Sequence, residues 1–128
     1  MVSDEWKSAS AGVVHQIATE LSASVTTHPL TEKLTEFIIH PSHSGATDIK
    51  LIVSQSDVIV GAGSGTQIEL PPLPESESEL TEIVQAIASG NLNESARGGL
   101  VRYRLLLADG TILQGRSKKG LPRRHGKL

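Results

Sequence analysis

Apolar residues at the start of the chain recur with a helical period. Trp6, Val13, Val14, Ile17, Leu21 and Val25 follow i, i+3, i+4 spacing, which predicts a helix over residues 4–25. Ser3 or Asp4 can cap it, and Asp4 and Glu5 complement the positive end of its dipole. The hydroxyl-rich, β-branched stretch Ser22 to Thr27 predicts a frayed end. His28-Pro29 is the expected stop, because a residue before proline is driven out of the α region.

The period then falls to two. Leu34 to His40 reads as a strand with Thr35, Phe37 and Ile39 on one face. Pro41 to Gly45 is a turn or loop, and Asp48 to Ser54 a second strand with Ile49, Leu51 and Val53 aligned. Gln55 to Asp57 connects tightly to a third strand, Val58 to Val60. Gly61 to Gly65 interrupts, and Thr66 to Leu70 resumes extended with Ile68 and Leu70 inward. Pro71-Pro-Leu-Pro74 is a rigid linker that cannot lie within a sheet.

A second helix follows. Ser76 and Glu79 match a capping box, Leu80, Ile83, Val84 and Ile87 form its apolar stripe, and Gly90-Asn91 ends it. Residues 91–98 read as a polar connection. Gly99 to Lys118 then reads as a β-hairpin turned by Asp109-Gly110. With a two-residue turn, Leu107 faces Ile112, and Val101, Tyr103, Leu105, Leu107 and Ile112 share the core face. Arg102, Arg104, Leu106 and Leu113 then share the opposite face.

The element order is α-β-β-β-(β)-α-β-β. It predicts an α+β two-layer sandwich, an antiparallel sheet of about five to six strands with two helices on one face. Residues 1–116 are expected to form one domain, and residues 117–128 a basic, flexible C-terminal tail.

Charge divides the chain. Residues 1–96 hold 3 lysines against 13 acidic residues, a net of −10, whereas residues 97–128 hold 9 basic residues against Asp109, a net of +8. Such asymmetry marks either a binding segment or a basic part lying on an acidic one. The chain has no Cys, which excludes disulfides, thiolate metal sites and a cysteine nucleophile. Its aromatics are Trp6, Phe37 and Tyr103, so the core must be aliphatic and there is no stacking platform for single-stranded nucleic acid. Met1 to Lys7 has no signal-peptide pattern, and no apolar run approaches the length of a membrane span. A cytoplasmic protein that does not engage membranes is expected.

The candidate chemistry is sparse. Gly61-Ala-Gly-Ser-Gly65 has the look of a phosphate loop, but extended sequence and prolines follow it where a helix N-terminus would be needed. A hairpin loop or bulge is expected there. His28, His40 and His43, with Asp48, contain ligand types suited to zinc, yet a Pro-containing loop does not pre-orient them. No metal, no cofactor and no catalytic set is expected. His15 should lie at the edge of the core. The acidic run Glu75, Glu77, Glu79 and Glu82 complements the second helix dipole and offers a surface for a basic partner.

The stretch Ile68-Glu-Leu-Pro-Pro, the stripe Leu80, Ile83-Val84, Ile87, then Gly98-Gly-Leu-Val101 and Leu107-Ala-Asp-Gly-Thr-Ile112 with Gly115-Arg116 resembles small bacterial α+β proteins. Some of these are similar to immunity proteins of polymorphic toxin systems. The resemblance covers about half of the chain. It implies a non-enzymatic protein-binding module that blocks a toxin domain. Glu75, Glu77, Glu79 and Glu82 are the partner-binding candidates by charge. The alternative is a nucleic-acid-associated protein using Arg102, Arg104, Arg116, Lys118, Lys119, Arg123 and Arg124. A hairpin edge can also pair with a second copy to make a homodimer.

Overall fold

The computed structural model describes residues 5–42, 47–73 and 75–118. It has the α+β class expected, with two helices and two antiparallel sheets. The elements are α1 (Glu5–Glu20), β1 (Ser24–Thr31), β2 (Leu34–His40), β3 (Ile49–Val53), β4 (Val58–Ala62), β5 (Thr66–Leu70), α2 (Glu77–Ala88), β6 (Leu92–Arg97), β7 (Leu100–Leu106) and β8 (Ile112–Lys118). Strands β1 to β5 form one sheet and β6 to β8 the other, each in sequence order.

α1 ends earlier than its periodicity suggests. Ser22 takes φ +54°, the N–H of Ala23 donates to the Ala18 carbonyl at 2.8 Å, and that of Ser22 to Thr19 at 3.1 Å. This is the Schellman arrangement, with a serine in the left-handed position. α2 ends the same way at Gly90, φ +82°, with Asn91 N–H donating to Ala86 and Gly90 N–H to Ile87, both at 3.0 Å. A Cβ at a left-handed residue costs about 1–2 kcal/mol. Ser22→Gly is therefore expected to raise stability by about 1 kcal/mol in urea unfolding, since glycine pays less there.

The residues beyond Ser22 are a strand. Val25, Thr26 and Thr27 pair with Ile39, Ile38 and Phe37 in β1–β2. β1 is a sheet edge, so Pro29 and the register shift beside it are tolerated, and they blunt that edge against further pairing. The inward rows of the five-stranded sheet carry Phe37, Ile39, Ile49, Leu51, Val53, Val58, Val60, Ile68 and Leu70, all buried. α1 packs on β1, β2 and α2, whereas α2 touches both β3 and β7 and so joins the two sheets. Leu80, Ile83, Val84 and Ile87 on α2 are buried as their spacing predicts.

The capping box does not form. Ser76 is the N-cap of α2 but makes no side-chain cap bond. Its hydroxyl donates instead to the Pro71 carbonyl at 2.6 Å, tying the proline-rich linker back on itself.

Two corrections concern the C-terminal sheet. The supposed connection at residues 91–98 is strand β6, paired along its length with β7 from Leu92↔Leu105 to Arg97↔Leu100. Gly98 and Gly99, at φ +60° and +83°, form the two-residue turn between them, a type I′ geometry. The second turn is longer than expected. Leu106 pairs with Ile112, the Leu107 N–H donates to the Thr111 carbonyl at 2.9 Å, and Gly110, at φ +90°, donates to Leu107 at 3.0 Å. Three residues, Ala108 to Gly110, therefore make the loop, and the partner register moves by one. Leu113 takes the core place at 5% exposure and Ile112 turns outward at 41%.

That register has a direct test. Leu113→Ala should cost about 2–5 kcal/mol, the usual range for a buried leucine. Ile112→Ser should change stability by no more than about 0.5 kcal/mol. Denaturant unfolding of the two variants separates the registers, because a two-residue turn demands the reverse order.

β8 runs to Lys118, so the strand continues past residue 116. Lys119, Arg123, Arg124 and the rest of the basic tail lie outside the described residues, as do His43 and the capping candidates Ser3 and Asp4.

Candidate functional site

The three-stranded sheet has two unlike faces. Cross-strand rows Leu92–Leu105–Leu113 and Glu94–Tyr103–Gly115 point inward. The rows between them point outward: Asn93–Arg104–Gln114, then Ser95–Arg102–Arg116, then Arg97–Leu100. Arg97, Arg102, Arg104 and Arg116 are all exposed. Arg102 lies directly opposite Arg116, a like-charge pair that costs stability. Among the described residues no carboxylate pairs with any of these four arginines.

One end of this face is apolar. Leu106 and Ile112 face each other across β7–β8 and are 48% and 41% exposed. At the other end Ser95, Arg97, Leu100 and Arg102 border a hollow of about 360 Å³. The arrangement suits contact with an acidic surface that also offers an apolar patch.

The acidic candidates lie at the start of α2 and are unequally exposed. Glu75 and Glu82 are exposed, but Glu77 and Glu79 are half-buried against the fold. The histidines are kept apart. His28 Nδ1 lies 3.3 Å from Glu36 Oε1, and Lys50 Nζ 3.5 Å from Glu36 Oε2. His40 Nδ1 lies 3.2 Å from Asp48, with its Nε2 2.9 Å from the Thr26 hydroxyl. These are separate pairs on the outer face of the five-stranded sheet, and the described residues hold no cluster of three potential metal ligands. His15 is exposed on α1 rather than at the core edge. A groove of about 620 Å³ runs beside Lys50, Gly61 and Gln67, over the glycine that leaves the sheet surface bare.

Gly63-Ser64-Gly65 is the β4–β5 hairpin loop, closed by the Ala62↔Thr66 pair. Its amides nonetheless hold an anion, the carboxylate of Glu94 on β6. Ser64 N–H donates to Oε1 at 3.0 Å, while Gly65 N–H and Thr66 N–H donate to Oε2 at 3.3 and 3.1 Å. The Thr66 hydroxyl donates to Oε2 at 2.5 Å and the Ser64 hydroxyl to Oε1 at 3.4 Å. Partial burial pushes the Glu94 carboxyl up. The Thr66 hydroxyl and the three backbone N–H groups outweigh it and hold the carboxyl below its ordinary range.

Gly63 is required by this contact and Gly65 by the packing of Val101 beside it. A Cβ on Gly63 would lie 2.0 Å from Glu94 Oε1, and one on Gly65 would lie 2.8 Å from Val101 Cγ2. Sequence reasoning passed over Glu94. The signal that could have found it is a glycine-bracketed turn with no helix behind it. Searches against protein-family models, curated proteins and solved structures find nothing that matches this chain.

Proposed function

We propose that this chain is a non-enzymatic protein-binding module whose working surface is the outer face of β6–β8. The observation that carries it is Arg102 set opposite Arg116, with Arg104 and Arg97 beside them, no carboxylate partner among the described residues, and Leu106 and Ile112 exposed on the same face. A like-charge pair works against folding. It has a use if an acidic partner covers it. Arginines combined with exposed aliphatic residues match the make-up of protein interfaces. The partner is an acidic protein surface with an apolar patch, and an immunity-type inhibitor is the case in which that surface belongs to a toxin domain. The surface thus passes from the acidic run of α2 to the arginines of the second sheet.

The same arginines support a second reading, contact with nucleic-acid phosphates. Leu106 and Ile112 argue against it, because phosphates give an aliphatic pair nothing to bury. A photo-crosslinking residue at Gln114, in the middle of the face, separates the two. The expected product is one protein species, captured by the native chain and lost in Arg102→Glu. A nuclease-sensitive product, with affinity falling steeply as salt rises, would establish the second reading instead. No product at Gln114, with capture at Glu82, would restore the acidic run as the surface.

A further inference from the structure

We propose that the Gly63–Thr66 turn is a carboxylate receptor that the chain closes with its own Glu94, so that occupancy of this site decides whether β6 is held to the five-stranded sheet. Five donors, three backbone N–H groups and two hydroxyls, converge on one carboxylate within 3.4 Å. None of them is charged, and among the described residues no cation pairs with Glu94. Successive turn amides directed at one point form an anion-binding concavity whatever anion fills it. The donors belong to the β4–β5 turn and the acceptor to the far sheet, so the bond set crosses between layers. β6 is an edge strand with β7 as its single sheet partner.

The fit is built into the turn. Gly63, at φ +62°, has its would-be Cβ where the carboxylate sits, and Gly65 has its own against Val101. A larger residue at Gly63 would close the receptor, and one at Gly65 would collide with Val101. Among the described residues, three titratable groups lie near this point. Tyr103 stands across from Glu94 on β7, and its phenol is pushed up by burial. Asp48 and Lys50 lie beyond the turn, on the groove side. Glu94 therefore changes charge in the acid range while its neighbours on β7 and in the turn do not.

The test is chemical rescue. Glu94→Ala empties the receptor, and its melting temperature should fall by roughly 3–12 °C, since 1 kcal/mol is about 4–8 °C in a domain of about 60–100 residues and about 2–4 °C in one of about 150–250. Formate, compared with chloride at equal ionic strength, should raise the melting temperature of Glu94→Ala and leave the native chain unchanged. In the same titration the amide resonances of Ser64, Gly65 and Thr66 should shift and saturate. Should Glu94→Ala fail to fold, Glu94→Gln keeps the shape and removes the charge. Its melting temperature should lie below that of the native chain at neutral pH. The gap should close as pH falls through the lowered Glu94 value, because a carboxyl lowered on folding stabilises only while ionised. Equal formate effects on native and Glu94→Ala chains, or a gap independent of pH, would overturn the proposal. Rescue by sulfate and not by formate would overturn the carboxylate assignment.

Discussion

Arg116→Glu is expected to make the protein more stable and, at the same time, unable to hold its partner. Arg116 and Arg102 face each other across β7–β8 with no intervening acid, so their repulsion is present in the folded state alone. Glutamate at 116 turns a repulsive cross-strand pair into an attractive one, a gain of about 0.2–1 kcal/mol. The partner, acidic by complementarity, then meets a carboxylate in the middle of its contact. Placing like charge across a contact costs several kcal/mol. A weakening of about 100-fold or more is the expected result, since each 1.4 kcal/mol is tenfold. Thermal unfolding and titration against the cross-linked partner measure the two effects on one sample. A variant that loses stability and keeps binding would show that the arginines serve the fold and not a partner.

The second large effect lies at the β4–β5 turn. Gly63→Ala puts a Cβ 2.0 Å from Glu94 Oε1 and 2.6 Å from its Cδ, at a backbone φ of +62°. The left-handed residue costs about 1–2 kcal/mol. The carboxylate must also leave the turn, and hydrogen bonds to a charged group are worth about 1.5–3 kcal/mol. A net loss of about 2–4 kcal/mol follows, because the half-exposed carboxylate regains water on release. Gly61→Ala is the control. Its Cβ would have nothing nearer than 3.9 Å, in an extended strand without a positive φ, so its stability should stay within about 0.5 kcal/mol of the native chain. Urea unfolding of the two variants, and of Gly63→Ala combined with Glu94→Ala, completes the test. The double variant should lose less than the sum of its parts, because both substitutions empty the same contact.

Where hydrophobic periodicity was strong, the sequence was legible. Ile49, Leu51 and Val53 alternate because β3 buries one face, and Leu80, Ile83, Val84 and Ile87 keep a helical stripe because α2 is wedged between two sheets. The strands that escaped notice, β1 and β6, are edge strands whose side chains are mostly exposed, so burial wrote little pattern into them. β1 also carried His28-Pro29, which stops a helix and yet is harmless at a sheet edge. The second hairpin shows how one residue of loop length decides a face. Asp109-Gly110 suits a two-residue turn, but Gly110 takes the third loop position and closes onto Leu107. Asp109 accepts the Thr111 N–H at 2.8 Å, which lowers its own carboxyl and fixes the longer loop. Arg102 and Arg104 stayed on the outer face because their place depends on β7, which the error did not move. Glu94 was illegible for a different reason. Its partners lie 28 to 30 residues away, and no local pattern records a bond of that span.

Each strand pairs only with its neighbours in sequence, within both sheets. Pairing of this sort closes small loops, and small loops form in microseconds. The slow step in reaching the native state should therefore not be the making of either sheet. It should be their meeting over α2, when the side chains of β3 and β7 first share a helix. Contacts made at that late stage retard unfolding more than they speed folding. By this logic the bonds from the Gly63–Thr66 turn to β6 act less as a guide for the chain than as a brake on its undoing. Their loss should shorten the lifetime of the folded molecule while leaving its folding rate nearly as it was.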